Sequence, residues 1–114
     1  MDINMKKSRS AAIFEISGRF DVKSSEMVQE AIIQAISENG RFIVDFANCD
    51  YVSSSGLRVL LMTMRRSAMA NCRMVVSGIK PEVWEIIVMT GFDKALETYP
   101  SQDEALKALS EGLS

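Results

Sequence analysis

Apolar residues recur along this chain at two spacings, and the places where one spacing gives way to the other predict an order of elements. Ala12, Phe14 and Ile16 lie two apart within residues 11–17, the period of a strand with one inward face, and Gly18 followed by Asp21 marks its exit. Residues 3–5 are suited to pairing with it. Val28, Ala31, Ile32, Ala35 and Ile36 keep helical spacing. A helix running to about Ser37 is therefore expected, capped by Ser24 or Ser25, with Glu26 in its first turn and Asn39-Gly40 as its stop. Phe42-Ile43-Val44-Asp45-Phe46 is a short apolar run of the kind buried on both faces of a parallel sheet, and residues 47–52 read as the loop that follows it.

Leu57, Leu60, Leu61, Met64 and Ala68 return to helical spacing and predict a second helix ending near Ala70. Residues 73–77 form another β-branched run, closed by Gly78. Pro81 suits the first position of a third helix, with Glu82 behind it, Val83, Trp84, Ile87 and Val88 inward, and Gly91 as terminator. Residues 96–99 read as a last strand. Ser101-Gln102-Asp103-Glu104 matches a capping box, and Ala105, Leu106 and Leu109 make the stripe of a final helix. Strands and helices alternate, which predicts an α/β fold: one domain over residues 1–114, with a mixed, mostly parallel sheet, right-handed crossovers and about four helices.

Composition narrows what such a domain does. The 114 residues are 47% hydrophobic and 25% charged, with a formal net charge of -2, so no extended basic surface for nucleic acid is present. The apolar runs at residues 59–62 and 86–89 are too short to cross a bilayer, and Glu15 interrupts the only apolar stretch near the start, so neither membrane insertion nor a signal peptide is expected and the cytoplasm is the expected compartment. Cys49 and Cys72 lack metal or redox spacing and read as free, buried thiols. The absence of histidine removes a Ser-His-Asp triad and most mixed-ligand zinc sites. Asp45 sits within an apolar strand and Asp50 in a loop without a ligand series, so no catalytic carboxylate, metal or cofactor is implied. Five methionines, Met62, Met64, Met69, Met74 and Met89, are expected to fill core gaps. Trp84 is expected to anchor the third helix.

One segment remains for chemistry. Ser53, Ser54 and Ser55 stand where the second helix begins, with Ser54 or Ser55 at the expected cap. The other helix starts carry Glu26, Glu82, or Asp103 with Glu104. This one carries Arg58 and no acid, so its positive dipole end lacks a countercharge. A plain N-cap satisfies the pattern. So does a phosphorylated serine, whose dianion would sit comfortably at that end while obstructing any partner that closes over it.

Phe42-Ile43-Val44-Asp45-Phe46, Tyr51-Val52-Ser53-Ser54-Ser55-Gly56-Leu57 and Met89-Thr90-Gly91-Phe92, together with the exit Gly18-Arg19-Phe20-Asp21, lie in the order and spacing of STAS domains. Over almost its whole length the chain resembles the bacterial anti-sigma factor antagonists of that family. The resemblance implies a binding protein, not an enzyme. It would engage an anti-sigma factor that is itself a serine kinase, release the sigma factor in a partner-switching pathway, and be inactivated by phosphorylation of the serine before the glycine, here Ser55. A serine phosphatase acting on phospho-Ser55 would restore it. Carried over on the same motif, Ser53, Ser54, Ser55, Gly56 and Leu57 belong to the partner-binding surface, with Gly56 as the small residue allowing close approach and Leu57 as the start of the buried stripe. Asp21 matches an acidic position beside the phosphoacceptor. Arg58 and Met62 lie off the main apolar stripe and are available to a partner. Many antagonists carry Asp two residues before the phosphoserine, where this chain has Ser53, which leaves three adjacent hydroxyls.

Two other functions fit parts of the pattern. A STAS accessory subunit of a membrane transport complex for lipid or anion would use the same helix face without needing a phosphoacceptor. A serine hydrolase is disfavoured, because Ser54-Ser55-Gly56 is not a G-x-S-x-G elbow and there is no histidine base.

Overall fold

Five strands line up in one sheet in the order in which they occur along the chain. In this computed structural model, which describes residues 2–8, 11–36 and 40–111, β1 (Asp2–Lys7) pairs antiparallel with β2 (Ala12–Phe20). β2, β3 (Arg41–Val52), β4 (Arg73–Ser77) and β5 (Thr98–Tyr99) run parallel. The helices α1 (Val22–Ala35), α2 (Ser54–Met69) and α3 (Pro81–Met89) connect successive parallel strands, and α4 (Gln102–Glu111) follows β5. Strands that advance steadily in one direction, joined by crossovers of one hand, place their helices on one face. Packing follows that rule. Val28 and Ile32 of α1, Leu57 and Leu60 of α2, and Val83 and Ile87 of α3 share a core with Phe14, Phe42, Val44 and Val76 of the sheet. On the opposite face Ala105 and Leu109 of α4 cover Ile13, Ile43 and Val75. Both cysteines are buried and free, as their spacing suggested.

The predicted order holds, but several boundaries move for identifiable reasons. β2 continues through Gly18 and Arg19 to Phe20 instead of ending near Ser17. Residues 47–52 are strand, not loop. Against β2, the register of β3 slips by one residue twice, between Glu15 and Ser17 and between Gly18 and Arg19, and the bulges leave Ala47 and Asn48 both facing solvent, which breaks the alternation a strand reading needs. Asp21, not Ser24 or Ser25, caps α1, and starting one residue later at Val22 leaves Glu26 beyond the first turn. α1 ends at Ala35 with Ile36 as its cap, while Ser37 and Asn39 lie outside the described residues. The last strand is only Thr98–Tyr99, preceded by a 3-10 turn at Asp93–Ala95. On α2 the buried face holds Thr63 and Ser67, whose hydroxyls donate back to the carbonyls of Leu60 and Thr63 at 2.8 and 2.7 Å, whereas Ala68 is exposed. Met69 and Met89 are 86% and 85% exposed and Val88 also faces out, so these three do not serve the core. Met74 does, and Trp84 packs on the core edge half-buried.

Two polar arrangements pin neighbouring strands. Asp45, buried in β3, accepts from the Ser77 hydroxyl opposite it in β4 at 2.7 Å, which is why a carboxylate survives in an apolar run. Arg73 of β4 holds Glu97 through two parallel hydrogen bonds, one of them Nε to Oε1 at 3.1 Å, and the Tyr99 hydroxyl donates to Oε2 at 2.6 Å. The Arg73 hydrogen bond, opposed by burial and aided by Tyr99, holds the Glu97 carboxyl below its ordinary value.

α2 meets β2 unusually closely. A Cβ on Gly56 would lie 2.5 Å from the Phe20 carbonyl oxygen and 2.9 Å from the Phe20 ring, and Phe20 is fully buried and has nowhere to go.

Two measurements follow from these contacts. Gly56→Ala gains about 1 kcal/mol of helix propensity but forces an overpacked contact against rigid backbone at the upper end of the usual range, about 2–3 kcal/mol, so chemical denaturation should show a net loss of about 1–2 kcal/mol. Because folding lowers the Glu97 pKa, its contribution is complete above the ordinary carboxylate value of about 4.3 and fades as pH falls through the lower folded value. Glu97→Gln should therefore lose less stability than the unaltered chain between about pH 5 and pH 3, and parallel acid limbs in a denaturation series would rule this pair out as a contributor.

Candidate functional site

The site forms where β2 and β3 end side by side. Ser53 follows the last residue of β3, and its N–H donates to the Phe20 carbonyl at 2.8 Å, tying the start of α2 to the end of β2. Ser53 is the N-cap: its backbone is extended, its hydroxyl accepts from the Gly56 N–H at 3.1 Å, and its carbonyl accepts from Leu57. The expectation of Ser54 or Ser55 at the cap is thereby corrected by one and two positions. Ser53 is the last extended residue, because β3 runs right up to Val52 and helical backbone begins at Ser54, so the cap falls on Ser53.

With the cap assigned to Ser53, the two serines after it are left for other work. Ser54 is exposed and Ser55 half-buried in the first turn of α2, and among the described residues neither hydroxyl has a hydrogen-bond partner. No acidic residue stands in that turn, so the N–H groups and the dipole at this end face outward uncompensated except by the Ser53 oxygen. An oxyanion attached at Ser55 would be favoured there.

Gly56 and Leu57, grouped by the sequence with the partner surface, are buried. The missing Cβ of Gly56 serves the approach of α2 to Phe20, and Leu57 packs in the core, so these two set the position of the serines from behind. Arg58 is exposed as expected. Met62 is half-buried, with its sulfur accepting from Gln29 Nε2 of α1 at 4.0 Å.

Asp21 reaches the same end of the sheet because it follows Phe20, which is bonded to Ser53. Its role within the fold is to cap α1: Oδ1 accepts from the N–H groups of Lys23 and Ser24, at 3.1 and 3.3 Å, while the Ser24 hydroxyl accepts from the Asp21 N–H at 2.9 Å. Partial burial raises its pKa, but these amide bonds, the Ser24 hydroxyl and the charge of Arg19 outweigh that and hold the carboxyl below its ordinary value. Arg19 Nε lies 3.8 Å from the other carboxylate oxygen and its guanidinium covers the Tyr51 ring at 4.2 Å from the centroid. The acidic position is therefore built in and ionised.

Beside the serines, a groove of about 500 Å³ opens between α2 and the end of α3. Ser54, Arg58, Leu61, Met62 and Arg65 line one side, and Thr90 and Phe92 the other. The sequence reading missed Leu61, Arg65, Thr90 and Phe92 as site residues. A helix stop was visible at Gly91, yet its consequence was not: Gly91 takes φ +79°, its N–H donates to Val88 and the Phe92 N–H donates to Ile87, and this closing motif turns Phe92 back toward α2. Among the described residues no cluster of metal-binding side chains occurs, and no helix is long and apolar enough to cross a membrane.

Comparison with known proteins agrees with this geometry. The sequence profile of the STAS domain matches residues 2–105. The anti-sigma F factor antagonist of Paenibacillus polymyxa is 27% identical over 111 residues, covering 96% of this chain and 95% of that protein. An anti-sigma factor antagonist from Mycobacterium paratuberculosis has the same fold, with a TM-score of 0.85 at 22% identity over 96% of this chain and 93% of that one. So does the Bacillus cell fate determinant SpoIIAA in its phosphorylated form, with a TM-score of 0.71 at 18% identity over 95% of this chain and 99% of that one. With a profile match spanning nearly all of its residues and a sheet and helices arranged as in these structures, the chain belongs to the STAS domain family.

Proposed function

We propose that this protein is an anti-sigma factor antagonist that binds an anti-sigma serine kinase and is switched off when that kinase phosphorylates Ser55. The relative from Paenibacillus polymyxa carries the antagonist's name, which supports the general role. The observation that carries the finer reading is the division of labour among the three serines: Ser53 caps, and Ser55 stands half-buried in the first turn at an acid-free helix start, its hydroxyl without a hydrogen-bond partner among the described residues. The protein is then a substrate and binding partner, not an enzyme, and acts in the cytoplasm, where a serine phosphatase returns it to the binding form.

Magnitudes make the switch one of binding and not of folding. A phosphate at this helix end stabilises the domain by about 0.3–1 kcal/mol. A partner closing over it meets a hydrated dianion, and burying that charge unpaired costs several kcal/mol, at least a hundredfold in affinity. Asp21 lies at the same end of the sheet, ionised and half-exposed, where it would meet a basic group of the kinase.

Phosphosite mapping after incubation with the anti-sigma kinase and ATP should place the modification on Ser55, and Ser55→Ala should abolish it while binding constitutively. Ser55→Asp should keep the melting temperature but lose at least tenfold in affinity for the kinase. Equal affinity of the three forms, or recovery of an ATP-binding transport subunit as the stable partner in place of the kinase, overturns the reading. Ser53→Ala should behave oppositely: as the cap it should lose about 1 kcal/mol of stability, with the phosphorylation site unchanged.

A further inference from the structure

The charge of this protein is unevenly placed. The whole chain has a formal net charge of -2, yet α2 carries Arg58, Arg65 and Arg66 and not one acidic residue. Among the described residues none of these three arginines forms an ion pair, whereas Lys6, Arg19, Arg73 and Lys80 all do. Unpaired arginines on one helix are ordinary when they project into open solvent. Here two of them stand at a groove of about 500 Å³ whose remaining surface is largely apolar, supplied chiefly by Leu61, Met62 and Phe92. Phe92, 38% exposed, is held there by the closing turn at Gly91, so the apolar wall is a built feature of the α3 terminus.

These features are complementary to one kind of occupant. An apolar trough alone accepts any greasy segment, but arginines at both of its stations and no carboxylate in its lining select against basic segments and for acidic ones. Arg58 and Arg65 are seven residues apart, two helical turns, which separates them by about 10.5 Å along α2. A second helix lying along the groove presents carboxylates at the same separation when they too are seven residues apart, with apolar side chains between them directed inward.

We propose that the α2–α3 groove docks an amphipathic helix of a partner, anchored by apolar side chains and clamped by two of its carboxylates on Arg58 and Arg65. This inference names a recognition surface for the partner in the function proposed above and rests on that reading for the partner's identity, although the groove's selectivity can be measured without it. It also links the groove to Ser55. Arg58 lies three residues beyond Ser55 on the same helix face, so a phosphate on Ser55 competes with the partner's carboxylate for that guanidinium.

The test uses the full chain and two helix-stabilised synthetic peptides of about fourteen residues, alike in their leucine stripe and differing in having glutamates or lysines at two positions seven apart. In amide and methyl chemical-shift titrations the glutamate peptide should move Leu57, Leu61, Met62 and Phe92, and the lysine peptide should bind at least tenfold more weakly. The double variant Arg58→Glu with Arg65→Glu, both exposed positions and therefore compatible with folding, should reverse that order. Indistinguishable affinities for the two peptides, or shifts located away from the groove, overturn the proposal. A parallel titration with the anti-sigma kinase separates this inference from the function it draws on. If Ser55→Asp abolishes kinase binding but the double arginine variant leaves it unchanged, the groove is not the docking surface while the antagonist reading stands. If the glutamate peptide binds the groove as described but the kinase does not bind the chain, the groove proposal stands and the antagonist reading fails.

Discussion

The arrangement depends on one short approach: the start of α2 pressed against the end of β2. The Ser53 N–H bonds the Phe20 carbonyl, and Gly56 passes so near the same oxygen that a single methyl group would not fit. This contact ties two chain segments more than thirty residues apart and sets where the α2 N-terminus points. Leu57 and Leu60 then pull the helix onto the sheet. With cap and glycine both engaged inward, the helical geometry leaves the two residues between them nearer the surface, Ser54 exposed and Ser55 half-buried. Two serines at a helix start without a nearby acid are thus a by-product of a tightly fixed α2 N-terminus.

The same economy shapes the neighbouring elements. Asp21 caps α1 and is ionised by that role, so an acidic group comes to the serine end of the sheet without any separate device. The closing turn of α3 satisfies the last carbonyls of that helix and, by the same backbone path, sends Phe92 toward α2. In both cases a residue needed to end or start a helix also stands at the surface around the serine run. The candidate site is therefore built from element termini, where the backbone has unmet hydrogen-bonding capacity, while the sheet behind supplies rigidity.

Charge is handled differently in two parts of the molecule. Around β4 and β5, Arg73 and Glu97 neutralise each other and the Tyr99 hydroxyl donates to the same carboxylate, a network that steadies a strand of only two residues. Among the described residues the arginines of α2 form no ion pair. Internal pairing makes a surface inert toward other molecules, and its absence beside an apolar groove leaves electrostatic attraction available for recognition.

Periodicity and punctuation alone determined the order of the elements, the parallel sheet with its helices, where α2 stops, the bounds of β4 and α3, and the segment holding the phosphoacceptor candidate. Each of these depends on neighbours in sequence: a period of two or 3.6, a glycine after a helix, a proline at its start. What sequence did not disclose depends on residues distant along the chain. The cap was misplaced among Ser53, Ser54 and Ser55 because three like residues in a row offer the same chemistry, and only the length of a bulged β3 and the bond to Phe20 choose between them. Gly56 looked like an opening for a partner because a sequence shows an absent side chain but not the carbonyl that occupies the space. Met69 and Met89 looked like core because hydrophobicity is a property of the residue, whereas burial is a property of what faces it. The groove was invisible for the same reason: it exists between two helices, and no local pattern records the distance between surfaces that meet only after folding.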